Sequence, residues 1–141
     1  MPLALRDITI WAIAAAVLAG CGRRSTADRV PVFPVSGKVM YQGKPAAGVT
    51  VILHPLGGGN PTTPSATSGA DGSFKLATYG PGDGAPEGDY VVTAAWRETA
   101  DSGSDAPEID RFRGRYIDPA RSKLKVHIQS GPTELPPFEF Q

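Results

Sequence analysis

From Val35 onward the chain alternates apolar and polar residues with a period of two, in runs of six or seven residues. An extended strand sends successive side chains to opposite faces, whereas a helix needs apolar residues three or four apart. Val35, Gly37, Val39 and Tyr41 share one face, and Ser36, Lys38 and Met40 the other. The same alternation sets Val49, Val51 and Leu53 on a face, then Phe74, Leu76 and Thr78, then Tyr90, Val92, Ala94 and Trp96. Leu124, Val126 and Ile128 stand against Lys123, Lys125, His127 and Gln129. "LPPFEF", residues 135–140, ends the series, and Pro136 and Pro137 confine it to a sheet edge because proline donates no ladder hydrogen bond. Gln42-Gly43-Lys44 and Asp71-Gly72 separate such runs, and Asp-Gly is a strong hairpin signal. Six or seven short strands in this length predict an all-β sandwich.

Glycine (17) and proline (14) make up about a fifth of the 141 residues. That is turn-rich, yet below the roughly 25–30% of a disordered chain. Lys+Arg and Asp+Glu number 14 each, so no overall field draws the protein to nucleic acid. The length suits one domain.

The N-terminus follows another pattern. Arg6 is a short cationic region, and residues 8–18 form an apolar run of secretory-signal length, too short for the ~20 residues of a membrane span. Leu18, Ala19 and Gly20 then lead into Cys21, the single cysteine, which therefore has no disulfide partner within the chain. Leu18-Ala19-Gly20-Cys21 resembles the lipobox of bacterial lipoproteins. The resemblance implies signal-peptidase recognition of residues 18–20, removal of a helical signal peptide (1–20), and a mature chain starting at Cys21. Cys21 would carry a thioether-linked diacylglyceryl group and an N-acyl chain such as palmitate, enough for stable membrane anchoring. Gly22 stands where Asp would signal inner-membrane retention in some bacteria, so an outer-membrane address facing the periplasm or the surface is expected. Residues 21–34, punctuated by Pro31 and Pro34, read as a flexible tether, and residues 35–141 as the domain.

"SGKVMYQGKPAAGVTVILHP" followed by "ATSGADGSFKLATYGPGDGAPEGDYVVTAAW" resembles the carboxypeptidase regulatory-like domain. Its marks are a Gly-x-Val strand, Gly43-Lys44-Pro45, a strand opening at Gly48-Val49-Thr50-Val51, the Asp71–Phe74 hairpin, and Gly88-x-Tyr90-x-Val92. "RYIDPARSKLKVHIQSGPTELPPFEF" is similar to the tail of short bacterial lipoproteins that carry this module alone. The resemblance implies a single Greek-key, transthyretin-like sandwich of about seven strands, with no catalytic residues and no cofactor.

His54 and His127 fall on strand faces opposite the core, and no motif of hydrolase, zinc-protease or phosphate-cradle spacing surrounds them. Asp71, Asp83 and Asp89 lie in glycine-rich turns, where turn chemistry explains them without calcium. Residues 97–122 divide by charge. An acidic block with Glu98, Asp101, Asp105, Glu108 and Asp110 precedes "RFRGRYIDPAR", with Arg111, Arg113, Arg115 and Arg121. Blocks of opposite sign commonly neutralise one another on a solvated surface. The alternative is a carbohydrate- or anionic-polymer-binding surface built from Arg111, Phe112, Arg113, Arg115 and Tyr116. The main expectation is a lipid-anchored, non-enzymatic envelope module with envelope proteins or polysaccharide as partners. Exposed, coplanar Phe112 and Tyr116 are the feature that favours the alternative.

Overall fold

In the computed structural model the chain is described at residues 29–57, 62–98 and 108–141. The expected signal peptide, the lipobox-like segment with Cys21, and residues 21–28 of the expected tether lie outside the described residues, as does the Asp101–Asp105 part of the acidic block.

Every alternating run contains a strand, though not always over its whole length. Eleven short strand segments form among the described residues: β1 (Val35–Tyr41), β2 (Lys44–Pro45), β3 (Thr50–Pro55), β4 (Ser65–Thr67), β5 (Ser73–Lys75), β6 (Gly88–Ala95), β7 (Arg97–Glu98), β8 (Ile109–Asp110), β9 (Lys125–Ile128), β10 (Thr133–Glu134) and β11 (Phe138–Phe140). One sheet is centred on β1. Antiparallel β2 and β5 lie on one side of it, and β10 and β11 run parallel to it on the other. The register moves from Val35↔Thr133 to Val39↔Phe138, so the last strand gains one residue over β1. That extra residue falls at Leu135, Pro136 and Pro137, a bulge at a sheet edge where prolines are tolerated.

The second sheet has the order β4-β3-β6-β9, all antiparallel. β7 and β8 form a separate two-stranded ribbon beyond the end of β6. One strand joins the sheets at a corner. The Leu76 amide donates to the Val35 carbonyl of the first sheet, and Ala77 exchanges both backbone bonds with Ser65 of the second.

The core lies between the sheets. Val35, Val39, Phe74, Phe138 and Phe140 from one side meet Val49, Val51, Leu53, Tyr90, Val92, Ala94 and Ile128 from the other in one cluster. The chain is an all-β sandwich. The inward residues are those that the period-two reading assigned, with a glycine used for space. A Cβ on Gly37 would sit 2.4 Å from the tip of the Phe74 ring, so the ring lies directly over the β1 backbone.

The structure refines two expectations. The single run 73–79 is a three-residue strand followed by the corner, because Leu76 and Ala77 bond to different sheets. β6 is buried on both faces: Val91 and Thr93 on its outer side are 6% and 4% exposed, covered by neighbours on β3 and β9. Strict alternation therefore understates the burial of a central strand.

The domain also begins before residue 35. Phe33 bridges Ala85 through two backbone hydrogen bonds of 2.9 and 3.0 Å. The Val30 amide donates to the Tyr79 hydroxyl at 3.1 Å, and the Arg29 guanidinium stands 5.1 Å from the Tyr79 ring centroid. Residues 29–34 of the expected tether thus lie against the sandwich.

Candidate functional site

Segment 109–117 returns from the β7–β8 ribbon and crosses the end of the sandwich. One carboxylate organises it. Asp110 Oδ1 accepts from the Trp96 amide (2.9 Å) and the Phe112 amide (3.0 Å), and Oδ2 from the Gly114 amide (2.9 Å). Its backbone carbonyl also accepts from the Arg113 amide at 2.9 Å. These bonds wind residues 110–114 into a tight turn, with Arg113 at φ 53° and Gly114 at φ 73°. Asp and Asn characteristically fold the chain back onto their own side chains in this way. The Ala94 amide donates to the Tyr116 carbonyl (2.9 Å), tying the far end of the turn to β6.

Phe112 is where the binding-surface expectation fails. It is 2% exposed and sits in an aromatic cluster, with ring centroids 5.0 Å from Phe140, 5.1 Å from Tyr116, 5.5 Å from Trp96 and 5.9 Å from Tyr41. Tyr116 is half-buried and meets Phe140 edge-on at 4.7 Å. The outer face of Trp96 is covered by Arg111, whose guanidinium carbon lies 3.8 Å from the ring centroid. The five rings close the end of the sandwich and offer no coplanar stacking platform. The physical reason is area: a phenylalanine gains far more by leaving water than by waiting there for a ligand.

The arginines are where they were expected, on the surface. Arg111 of the basic block stands 3.8 Å from Glu98 of the acidic block, and Arg97 pairs with Glu108 at 3.3 Å within the acidic block, both across the β7–β8 ribbon. Arg121 pairs with Asp118. Arg115 Nη1 donates to the main-chain oxygen of Gln141 (2.8 Å), which also accepts from the Tyr116 hydroxyl (3.2 Å). Arg113 takes part in no salt bridge among the described residues. Arg111, Arg113 and Arg115 line one concavity of about 170 Å³ with Tyr41, Phe112 and Gln141. Sequence reasoning missed Tyr41, Asp110 and Gln141 here. An Asp followed four residues later by Gly signals a turn, but nothing local shows that residues 41 and 141 meet it.

The histidines stand on the outer face of the second sheet. His54 Nε2 and Thr93 Oγ1 are hydrogen-bonded at 2.8 Å, and His127 Nδ1 and Asp89 Oδ1 at 2.8 Å. His54 lies opposite Val91, and His127 opposite Asp89. They are thus two strands and two residues apart, roughly 12 Å on sheet spacings, too far to share one ion. Among the described residues no group of three or more His, Cys, Asp or Glu is placed to hold a metal.

The turn aspartates serve the backbone. Asp71 accepts from the Ser73 hydroxyl (2.6 Å) and amide (3.0 Å), and these two bonds hold its carboxyl below the usual carboxylate value. Asp83 accepts from the Thr78, Tyr79 and Gly80 amides at 2.7, 2.9 and 3.0 Å. Burial pushes the Asp83 carboxyl up, but the three amides together outweigh it and set it below its ordinary value.

A larger hollow of about 450 Å³ opens at the other end of the sandwich, lined by Val30, Pro31, Phe33, Pro55, Leu56 and Tyr90 among others.

No protein-family model matches the chain, and no curated protein does. Distant likenesses among solved structures include the following three. A DUF3823 family protein from Parabacteroides merdae is 20% identical with a TM-score of 0.44, covering 79% of this chain and 46% of its own. A 9R-lipoxygenase from Cyanothece PCC8801 is 12% identical with a TM-score of 0.43, covering 82% and 18%. The dioxygenase domain of a dioxygenase carbohydrate-binding protein fusion from Streptomyces sp. SirexAA-E is 21% identical with a TM-score of 0.40, covering 82% and 83%. This chain therefore spans about half of the first protein and under a fifth of the second. Likeness at this level carries no functional argument.

Proposed function

We propose that this chain is a lipoprotein of a bacterial cell envelope: a non-catalytic β-sandwich held to a membrane through acyl chains on Cys21, acting as a structural or protein-interaction module. The observation that carries the reading is Leu18-Ala19-Gly20-Cys21 directly behind an apolar run of signal-peptide length. The lone cysteine is then an attachment point. Gly22 after it favours the outer membrane.

How the chain enters the sandwich supports the reading. Among the described residues, the first backbone bond to the domain is at Val30. The nine residues from Cys21 to Val30 extend at most about 30 Å, which keeps the domain close to the lipid surface. The order of turns and strands resembles a carboxypeptidase regulatory-like module, a class that performs no chemistry itself, and the balanced charge gives no attraction to nucleic acid.

Fractionation of bacterial cells expressing the wild type and Cys21→Ser tests this. The wild type should sediment with membranes and need detergent for release, while the variant should be lost from the membrane fraction. Equal distribution of the two chains overturns the lipid anchor.

A further inference from the structure

We propose that the concavity lined by Arg111, Arg113, Arg115, Tyr41 and Gln141 is a binding site for a single oxyanion group, a phosphate or a carboxylate. The proposal rests on the basic half of the 97–122 surface and is independent of lipid attachment at Cys21.

Three observations carry it. First, the arginines differ in their commitments. Arg115 donates one Nη1 hydrogen to the main-chain oxygen of Gln141, and Arg111 lies over the Trp96 ring with Glu98 at 3.8 Å. Arg113 has no salt bridge among the described residues. A guanidinium has five N–H donors in a planar fork, so each arginine keeps donors that no group among the described residues uses.

Second, the backbone beneath is fixed in advance. Asp110 binds the Trp96, Phe112 and Gly114 amides, while Phe112 is locked among four rings. Arg113 is held at φ 53°, a conformation most side chains avoid, at the tip of this turn. Presenting a cation from a rigid turn lowers the ordering cost of binding. Third, the size fits. About 170 Å³ is below the ~300–1,000 Å³ of sites that enclose a whole small molecule, and suits one charged group of a larger chain. Among the described residues, the Asp110 carboxylate is occupied by amides, Glu98 stands 3.8 Å from Arg111, and the main-chain oxygen of Gln141 is taken by Arg115 and the Tyr116 hydroxyl, which leaves Arg113 as the arginine of the concavity without an ion pair.

The test uses the full chain in nonionic detergent at low ionic strength, titrated with inorganic phosphate and separately with D-glucuronate. NMR shifts of the arginine side-chain N–H groups report binding. Saturable binding of at least one probe is expected, weakened at least tenfold in Arg113→Gly. Glycine accepts the positive φ, so the turn survives; Arg113→Asn, which also tolerates that φ, should show the same loss. Arg121→Ala, outside the concavity, should stay within twofold of wild type. Whichever probe binds more tightly identifies the oxyanion as phosphate or uronate. No saturable binding of either probe, an unchanged Arg113→Gly, or an equal loss in Arg121→Ala overturns the site.

Discussion

Individual residues in this sandwich are set by what touches them. Gly37 is the clearest case, because a methyl group there would enter the space of the Phe74 ring, with contacts of 2.4 and 2.8 Å. Gly37→Ala should lower stability by about 1–3 kcal/mol through overpacking, read as a fall in the thermal midpoint. Asp83 acts through protonation. Its folded carboxyl lies below the ordinary value of 3.8, so the unfolded chain takes up the proton first as pH falls. The stability that Asp83 contributes is complete above that value and is lost as pH drops through the lower folded one. Denaturant melts of wild type and Asp83→Asn should therefore diverge in neutral solution and converge in strong acid. A constant gap at every pH would mean that its three amide bonds do not depend on charge.

Elements carry a second layer of constraint. The aromatic cluster holds segment 109–117 against β1, β6 and β11 through Phe112, which meets four other rings. Phe112→Ala should cost about 3–5 kcal/mol, measured by urea unfolding of the full chain in detergent. A loss below about 1 kcal/mol would show that the ring is not a core anchor. At the other end, Gly84 lets the chain before β1 pair with Ala85. A Cβ there would lie 1.7 Å from the Phe33 carbonyl oxygen, and φ is +105°. Gly84→Ala should break the Phe33–Ala85 bridge, speeding hydrogen exchange at those two amides while β3 and β6 stay protected.

These contacts mark how far the sequence was legible. Faces with period two, such as Val49-Val51-Leu53, gave their inward residues correctly, because burying one face is the dominant gain for a strand. The last run was correctly placed at an edge by Pro136 and Pro137. Phe112 was misplaced because it sits in a run without periodicity, flanked by arginines. Its burial depends on Tyr41, Trp96 and Phe140, which the local sequence does not bring near. The concavity was half legible: its arginines are adjacent, while residues 41 and 141 reach it only through the parallel pairing of β1 with β11.

At the scale of the whole molecule, the proposed function joins two features: an apolar run followed directly by the single cysteine, and a sandwich that, among the described residues, holds the chain from Arg29 and Val30 onward. A disulfide within the chain needs a second cysteine, and this chain has only one. A cysteine kept for lipid needs only its position. The most direct test is the intact mass of the mature protein extracted from bacterial membranes. The account predicts a chain beginning at Cys21, heavier than residues 21–141 by a diacylglyceryl group and one further acyl chain. A mass equal to an unmodified chain, with Cys21 free or the leader uncleaved, would contradict it.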